Sequence, residues 1–154
     1  MMTPSEAGTA DFRATTLELL MPEPNAATAP VRSYRDLRVW PQAVDLAEAT
    51  YRATEHFPAD ERYGLVTQLR RAAVSVASNI AEGHARSLGD YLRYLVVSSG
   101  SLTEMETQFV LSERLGFLPS EQVESLLQAC DQIGRMLGGL RKSLRARRVR
   151  GARG

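Results

Sequence analysis

Between Gln68 and Gly83 the chain reads QLRRAAVSVASNIAEG. Leu69, Ala72, Ala73, Val76 and Ile80 recur there at steps of three and four, the spacing of one face of a helix. Arg70 and Arg71 open the segment. Ser75, Ala77, Ser78, Asn79 and Ala81 fill the positions between the apolar ones. Small residues at such positions let helix backbones approach closely, either inside one bundle or against a second copy of the chain. Asp60 is placed as an N-cap with an acid following it, and Gly83 as the residue just past the helix end. The predicted helix therefore runs from about Asp60 to Glu82, with Leu65 as its first apolar position.

Downstream, Ser87 to Asp90 is close to a capping box, so a second predicted helix runs from Ser87 to about Leu115. Its stripe is Tyr91, Leu95, Ser98, Leu102, Met105, Phe109 and Ser112, a heptad pattern, and Gly116 closes it. A second stripe lies beside the first: Tyr94, Val97, Ser101, Glu104, Gln108, Leu111 and Leu115. Together they are wider than one seam requires, so apolar residues left over from the core are expected at a subunit interface. Upstream, Leu37, Trp40, Val44, Ala47 and Tyr51 predict a helix from about Asp36 to His56. Pro41 fits its first turn and admits a start near Val39; Phe57-Pro58 ends it. The last predicted helix starts at Pro119-Ser120 and ends near Leu144. Its stripe is Leu126, Cys130, Ile133, Leu137, Leu140 and Leu144. Gly138-Gly139 weakens it by about 1 kcal/mol per glycine, which predicts fraying or a close helix approach.

Four amphipathic helices on short connections predict an all-α, up-down-up-down antiparallel four-helix bundle over residues 34–144. Residues 1–33 hold Pro4, Pro22, Pro24 and Pro30 and a single apolar patch at Leu17–Met21, the composition of a disordered leader; Met21 is an alternative start. Residues 145–154 form a basic tail.

The chain has 154 residues, enough for one domain with its own core. The lone Cys130 excludes an internal disulfide, and no secretory signal precedes the bundle, which together place the protein in the cytoplasm. No apolar run reaches the ~18 residues of a membrane span. Net charge is +1 but unevenly spread. Residues 141–154 carry seven cations and no acid, and residues 1–140 carry twelve cations against eighteen acids. The body is thus mildly acidic and the end strongly basic.

Sets of residues that carry chemistry are scarce. His56 and His84 both sit near predicted helix ends, and neither has the glutamate three residues earlier that a dimetal bundle uses. Cys130 lies in an apolar stripe, where a free thiol behaves as a small hydrophobe. Zinc needs more soft ligands than exist. No enzyme activity, metal or cofactor is expected. A polar cluster is expected at Ser78, Asn79, Glu82, Ser101, Glu104 and Gln108. Glu104 is a candidate for a partly buried acid, with Arg70 or Arg71 as its partner and Asn79 as a neutral alternative; the plain alternative is a solvated stripe edge. The basic tail, with Arg145, Arg147, Arg148 and Arg150, is suited to neutralising phosphates. The alternative is a solvated end that aids solubility.

Tyr34-Arg-Asp-Leu-Arg-Val-Trp40, Phe57-Pro58, Tyr63-Gly64-Leu65, Gln68 to Ser75, Ser78 to Gly83, Arg86, Tyr91, Gly100-Ser-Leu, Glu104 and Glu106-Thr-Gln108 resemble the signature of a bacterial family. It is the "four helix bundle protein" family, also called the 23S rRNA intervening-sequence protein family. Its members are named for genes lying within inserts in large-subunit rRNA genes. The resemblance covers about Tyr34 to Leu144 and implies a four-helix bundle that assembles as a homopentamer. It also implies distant kinship with the accessory variability protein of diversity-generating retroelements, a basic pentameric barrel that binds nucleic acid and a reverse transcriptase. The acidic body departs from that relative.

Two functions follow as expectations. One is a non-enzymatic homopentamer that binds structured RNA or DNA through Arg70, Arg71, Arg86 and the tail arginines. The other is a scaffold that binds another protein and has no nucleic-acid role.

Overall fold

The computed structural model describes residues 30–152. The leader expected over residues 1–33 lies almost wholly outside them, as do Arg153 and Gly154. The described residues form four helices: α1 (Val39–Ala53), α2 (Leu65–His84), α3 (Leu88–Arg114) and α4 (Ser120–Gly151), with short 3-10 turns at Tyr34–Asp36 and Ala59–Tyr63. Each helix packs on its sequence neighbours, and α1 closes the ring on α4. This is the expected all-α four-helix bundle.

The α3 stripe is buried at all seven expected positions, with Leu95, Ser98, Met105, Phe109 and Ser112 wholly inaccessible. Burying a large apolar side chain contributes roughly 1.5–3 kcal/mol, so such a stripe commits the helix to the core. Ser87 caps α3 by accepting the Asp90 N–H. Gly116, at φ 76°, ends the hairpin to α4 in the left-handed conformation that glycine adopts freely. Across that hairpin, Gly134 of α4 lies against Leu102 of α3.

Four local expectations are corrected. The buried face of α1 is Val39, Ala43, Leu46, Thr50 and Ala53, rotated from the expected stripe, which leaves Val44 and Tyr51 exposed. Size decides this: small residues let α1 sit close to its neighbours, and the Thr50 hydroxyl donates to the Leu46 carbonyl at 2.7 Å, so it is buried already satisfied. The N-cap of α2 is Gly64 and not Asp60, which lies in the 3-10 turn before the helix; from that turn the Glu61 carboxylate accepts the Leu65 N–H at 2.9 Å. Gly83 lies inside the last turn of α2 rather than past it. A Cβ there would stand 2.7 Å from Tyr94 Cβ and 2.9 Å from Tyr91 Cδ2, so the glycine serves the close approach of α2 to α3. Finally, α4 runs past Leu144 to Gly151 without a break at Gly138-Gly139, and nothing lies within 4 Å of either glycine's missing side chain. Alanine and arginine are good helix formers, and Arg148 and Arg150 in the last turn complement the negative end of the helix dipole.

Candidate nucleic-acid interface and the polar seam

The antiparallel order brings the start of α1, the α2–α3 connection and the end of α4 to one end of the bundle. The α1–α2 and α3–α4 connections share the opposite end, where Phe57 packs on Phe117 with ring centroids 5.4 Å apart. The first end gathers cations from three separate stretches: Arg32, Arg35 and Arg38 before α1; Arg86 and Arg93 at the α2–α3 connection; and Arg141, Lys142, Arg145, Arg147, Arg148 and Arg150 on α4. Its acids are Asp36, Glu82 and Asp90. That is eleven cations against three acids, whereas the rest of the described residues carry six cations and eleven acids. Neighbouring helices run in opposite directions, so their macrodipoles largely cancel at each end. The polarity therefore comes from side chains.

All three acids of the basic end have partners. The Asp36 carboxylate accepts the N–H groups of Ser33 and Arg32, each at 2.9 Å, and these bonds hold its pKa below the usual carboxylate range. Asp90 is likewise lowered, first by the Ser87 hydroxyl and then by Arg93. Glu82 accepts from Arg86 and from the Tyr94 hydroxyl, both at 3.0 Å. The cations beyond Leu144 on α4 are exposed, and among the described residues they have no carboxylate partner.

Arg70 and Arg71 belong elsewhere. They lie near the start of α2, toward the acidic end, about 22–24 Å along the helix from Arg86. Arg70 is committed to the bundle: its Nε donates to Thr54 Oγ1 at 2.9 Å, and its guanidinium lies 4.6 Å from the Tyr51 ring centroid. Arg71 is exposed, with no hydrogen bond or ion pair among the described residues. The sequence reading grouped these two arginines with Arg86 and the tail; the fold separates them. It also brings in Arg32, Arg35, Arg38 and Arg93, which sequence reasoning missed. Their only signal was position near helix ends that an antiparallel topology would bring together.

The expected polar cluster divides into three. Ser75 and Ser101 share a hydrogen bond of 2.8 Å between α2 and α3, and Asn79 donates to the Ser75 carbonyl and hydroxyl. Gln108, 7% exposed, donates to Gln68 Oε1 and Glu104 Oε1 at 3.1 and 3.0 Å. Glu82 joins Tyr94 and Arg86. Ser78 is exposed and lines a trough with Arg71 and Glu104. Glu104 is itself exposed, and neither Arg70 nor Arg71 pairs with it. The solvated-edge alternative therefore describes it. The seam is a helix-to-helix fastening: the Ser98 hydroxyl also donates across it to the Val76 carbonyl at 2.9 Å. Such a bond requires the backbones to be close, as the small residues of α2 allow.

Cys130 is fully buried, and burial, followed by the nearby Glu106, pushes its thiol up to about 12. It is no thiolate nucleophile at neutral pH. Among the described residues no three His, Cys, Asp or Glu side chains are placed to hold a metal ion, and no helix is long and apolar enough to cross a membrane.

The family model for the 23S rRNA-intervening sequence protein matches residues 35–139. The chain belongs to that family. This family member is also similar in fold to a crystal structure from Bacteroides thetaiotaomicron VPI-5482, a protein of unknown function from the S23 ribosomal protein family. Identity is 22%, 68% of this chain and 95% of that one are covered, and the TM-score is 0.61. No curated protein matches. The matched segment of the family member stops at Gly139, so the basic end of α4 lies beyond it.

Proposed function

We propose that this family member is a non-enzymatic, cytoplasmic homo-oligomer that binds structured RNA or DNA through the basic end of its bundle. One observation carries this reading: the fold collects cations from three distant stretches at one end and leaves those of α4 past Leu144 exposed and without a carboxylate partner among the described residues. Such a surface binds polyphosphate by releasing counterions, with a steep salt dependence.

Self-assembly is supported by the second stripe of α3. Val97, Leu111 and Leu115 are 47%, 43% and 50% exposed, and Val74 of α2 is 45% exposed. A second copy of the chain would cover such residues. Five copies is the stoichiometry that the family resemblance implies. A scaffold function is the second reading. It is favoured by the open trough of about 760 Å³ lined by Tyr51, Arg71, Val74, Ser78, Ser101 and Glu104, whose mixed chemistry suits a protein surface.

Native mass from light scattering on a sizing column, with absorbance at 260 and 280 nm across the peak, tests both parts. A multiple of the 17.0 kDa protomer with excess 260 nm absorbance supports the proposal. An oligomer that neither carries nor takes up nucleic acid transfers the weight to the scaffold reading. A monomer at micromolar concentration sinks the assembly.

A further inference from the structure

We infer that the ligand of the basic end is double-stranded, gripped along its phosphate backbone, and not a single strand; this rests on the nucleic-acid reading above. Proteins that bind single strands combine cations with exposed aromatic faces on which bases stack. At this end every aromatic ring is already engaged. Tyr34 and Trp40 are half-buried and pack edge to face at 5.1 Å, with Arg35 lying 5.7 Å from the Tyr34 centroid. Tyr91 is buried and meets His84 at 5.8 Å. Tyr94 donates its hydroxyl to Glu82 and lies beneath Arg86.

A small groove of about 310 Å³, lined by Asn79, Arg86, Asp90, Arg93, Tyr94 and Val97, is the nearest thing to a base pocket. It is electrically closed: Arg86 pairs with Glu82 and Arg93 with Asp90. It presents neither net charge to a phosphate nor a bare ring to a base. The most exposed aromatic side chain among the described residues, Tyr63 at 88%, lies at the acidic end.

What the basic end does present is a row of cations on one helix. Lys142, Arg145 and Arg148, all exposed, follow one another along α4 at three-residue steps of about 4.5 Å. A duplex presents about one negative charge per 1.7 Å of axis, so a row of exposed cations on one helix finds closely spaced phosphates whatever the sequence. A single strand carries half that charge and must be ordered first. The same row fits RNA and DNA duplexes alike.

Fluorescence anisotropy with the full chain tests this, using one hairpin-free sequence as RNA duplex, DNA duplex and each single strand, at about 50 and about 200 mM salt. At least one duplex is expected to bind about tenfold or more tighter than its strands, with affinity falling steeply in the higher salt. Equal or tighter binding of the single strands overturns the duplex inference while leaving the nucleic-acid reading intact. No binding of any probe at the lower salt overturns the nucleic-acid reading itself. Tyr94→Phe, which keeps the ring and the fold, and Tyr94→Ala, which removes the ring, are both expected to bind duplex within about twofold of wild type. A selective loss of strand binding in Tyr94→Ala, with tight strand binding in the parent, would show that the ring stacks on bases and would overturn the inference.

Discussion

The two ends of the bundle share the same four helices and one continuous core, yet they differ in what their surfaces hold. At the acidic end Arg70 is tied to Thr54 and Tyr51 and serves the packing of α2 on α1. At the basic end the α4 arginines past Leu144 touch no acid and hold no helix in place. Arginine occurs in both neighbourhoods; its surroundings separate a structural cation from one free to meet a ligand. Exposed ion pairs such as Arg52–Glu48 and Arg135–Asp131 contribute little to stability either way.

The strongest way to break the comparison is to remove the core that both ends share. Phe109→Ala empties a wholly buried site and is expected to lower unfolding free energy by about 3–5 kcal/mol in urea denaturation. A loss below about 1 kcal/mol would mean that α3 is not seated as described.

Charge reversal at one end is the next largest effect. Replacing Arg145, Arg147, Arg148 and Arg150 with Glu is expected to abolish measurable duplex binding. Replacing the four with Gln should reduce the slope of log affinity against log salt by up to about 3–4. Arg71→Gln at the other end should leave binding within about twofold, and equal losses at the two ends would erase the distinction between them.

Gly83→Ala probes the fastening beneath the basic end. Its new methyl would clash with Tyr94 and Tyr91, at an expected stability loss of about 1–3 kcal/mol. Chemical denaturation that shows the variant unchanged would contradict the close approach of α2 and α3.

Smaller still is the contrast between neighbours in sequence. Arg70→Ala should destabilise by about 1 kcal/mol through its lost hydrogen bond and ring contact, whereas Arg71→Ala should stay within about 0.5 kcal/mol. Thermal melts of the two variants side by side decide this.

The smallest effect concerns pH. Asp36 has a folded-state pKa below its unfolded value because backbone N–H groups favour its charged form. It therefore contributes stability above the unfolded pKa, and that contribution fades as pH falls through the carboxylate range. Asp36→Asn should show a shallower acid-side decline than the parent in melts taken across that range.

The sequence specified much of this through periodicity. On α3 all seven positions of the expected stripe are buried, because its five large side chains recur on one face and carry Ser98 and Ser112 inward with them. On α1 the same reasoning selected Val44 and Tyr51, and the fold buried Ala43 and Thr50 instead. Hydrophobicity alone could not rank a close approach by small residues above the burial of larger ones. Of the polar positions, Ser101 and Gln108 were recognisable within the second stripe of α3, but their α2 partners Ser75 and Gln68 were not, since those pairs form across helices.

Taken by itself, the chain determined that four helices form, which face of α2, α3 and α4 turns inward, and that charge is unevenly distributed. These follow from local spacing and composition. Only the tertiary structure decided that Arg32, Arg35, Arg38, Arg86 and Arg93 share an end with the α4 cations and that Arg70 does not. Electrostatic character depends on distances in space, and an antiparallel bundle brings together residues that lie more than a hundred positions apart in the chain.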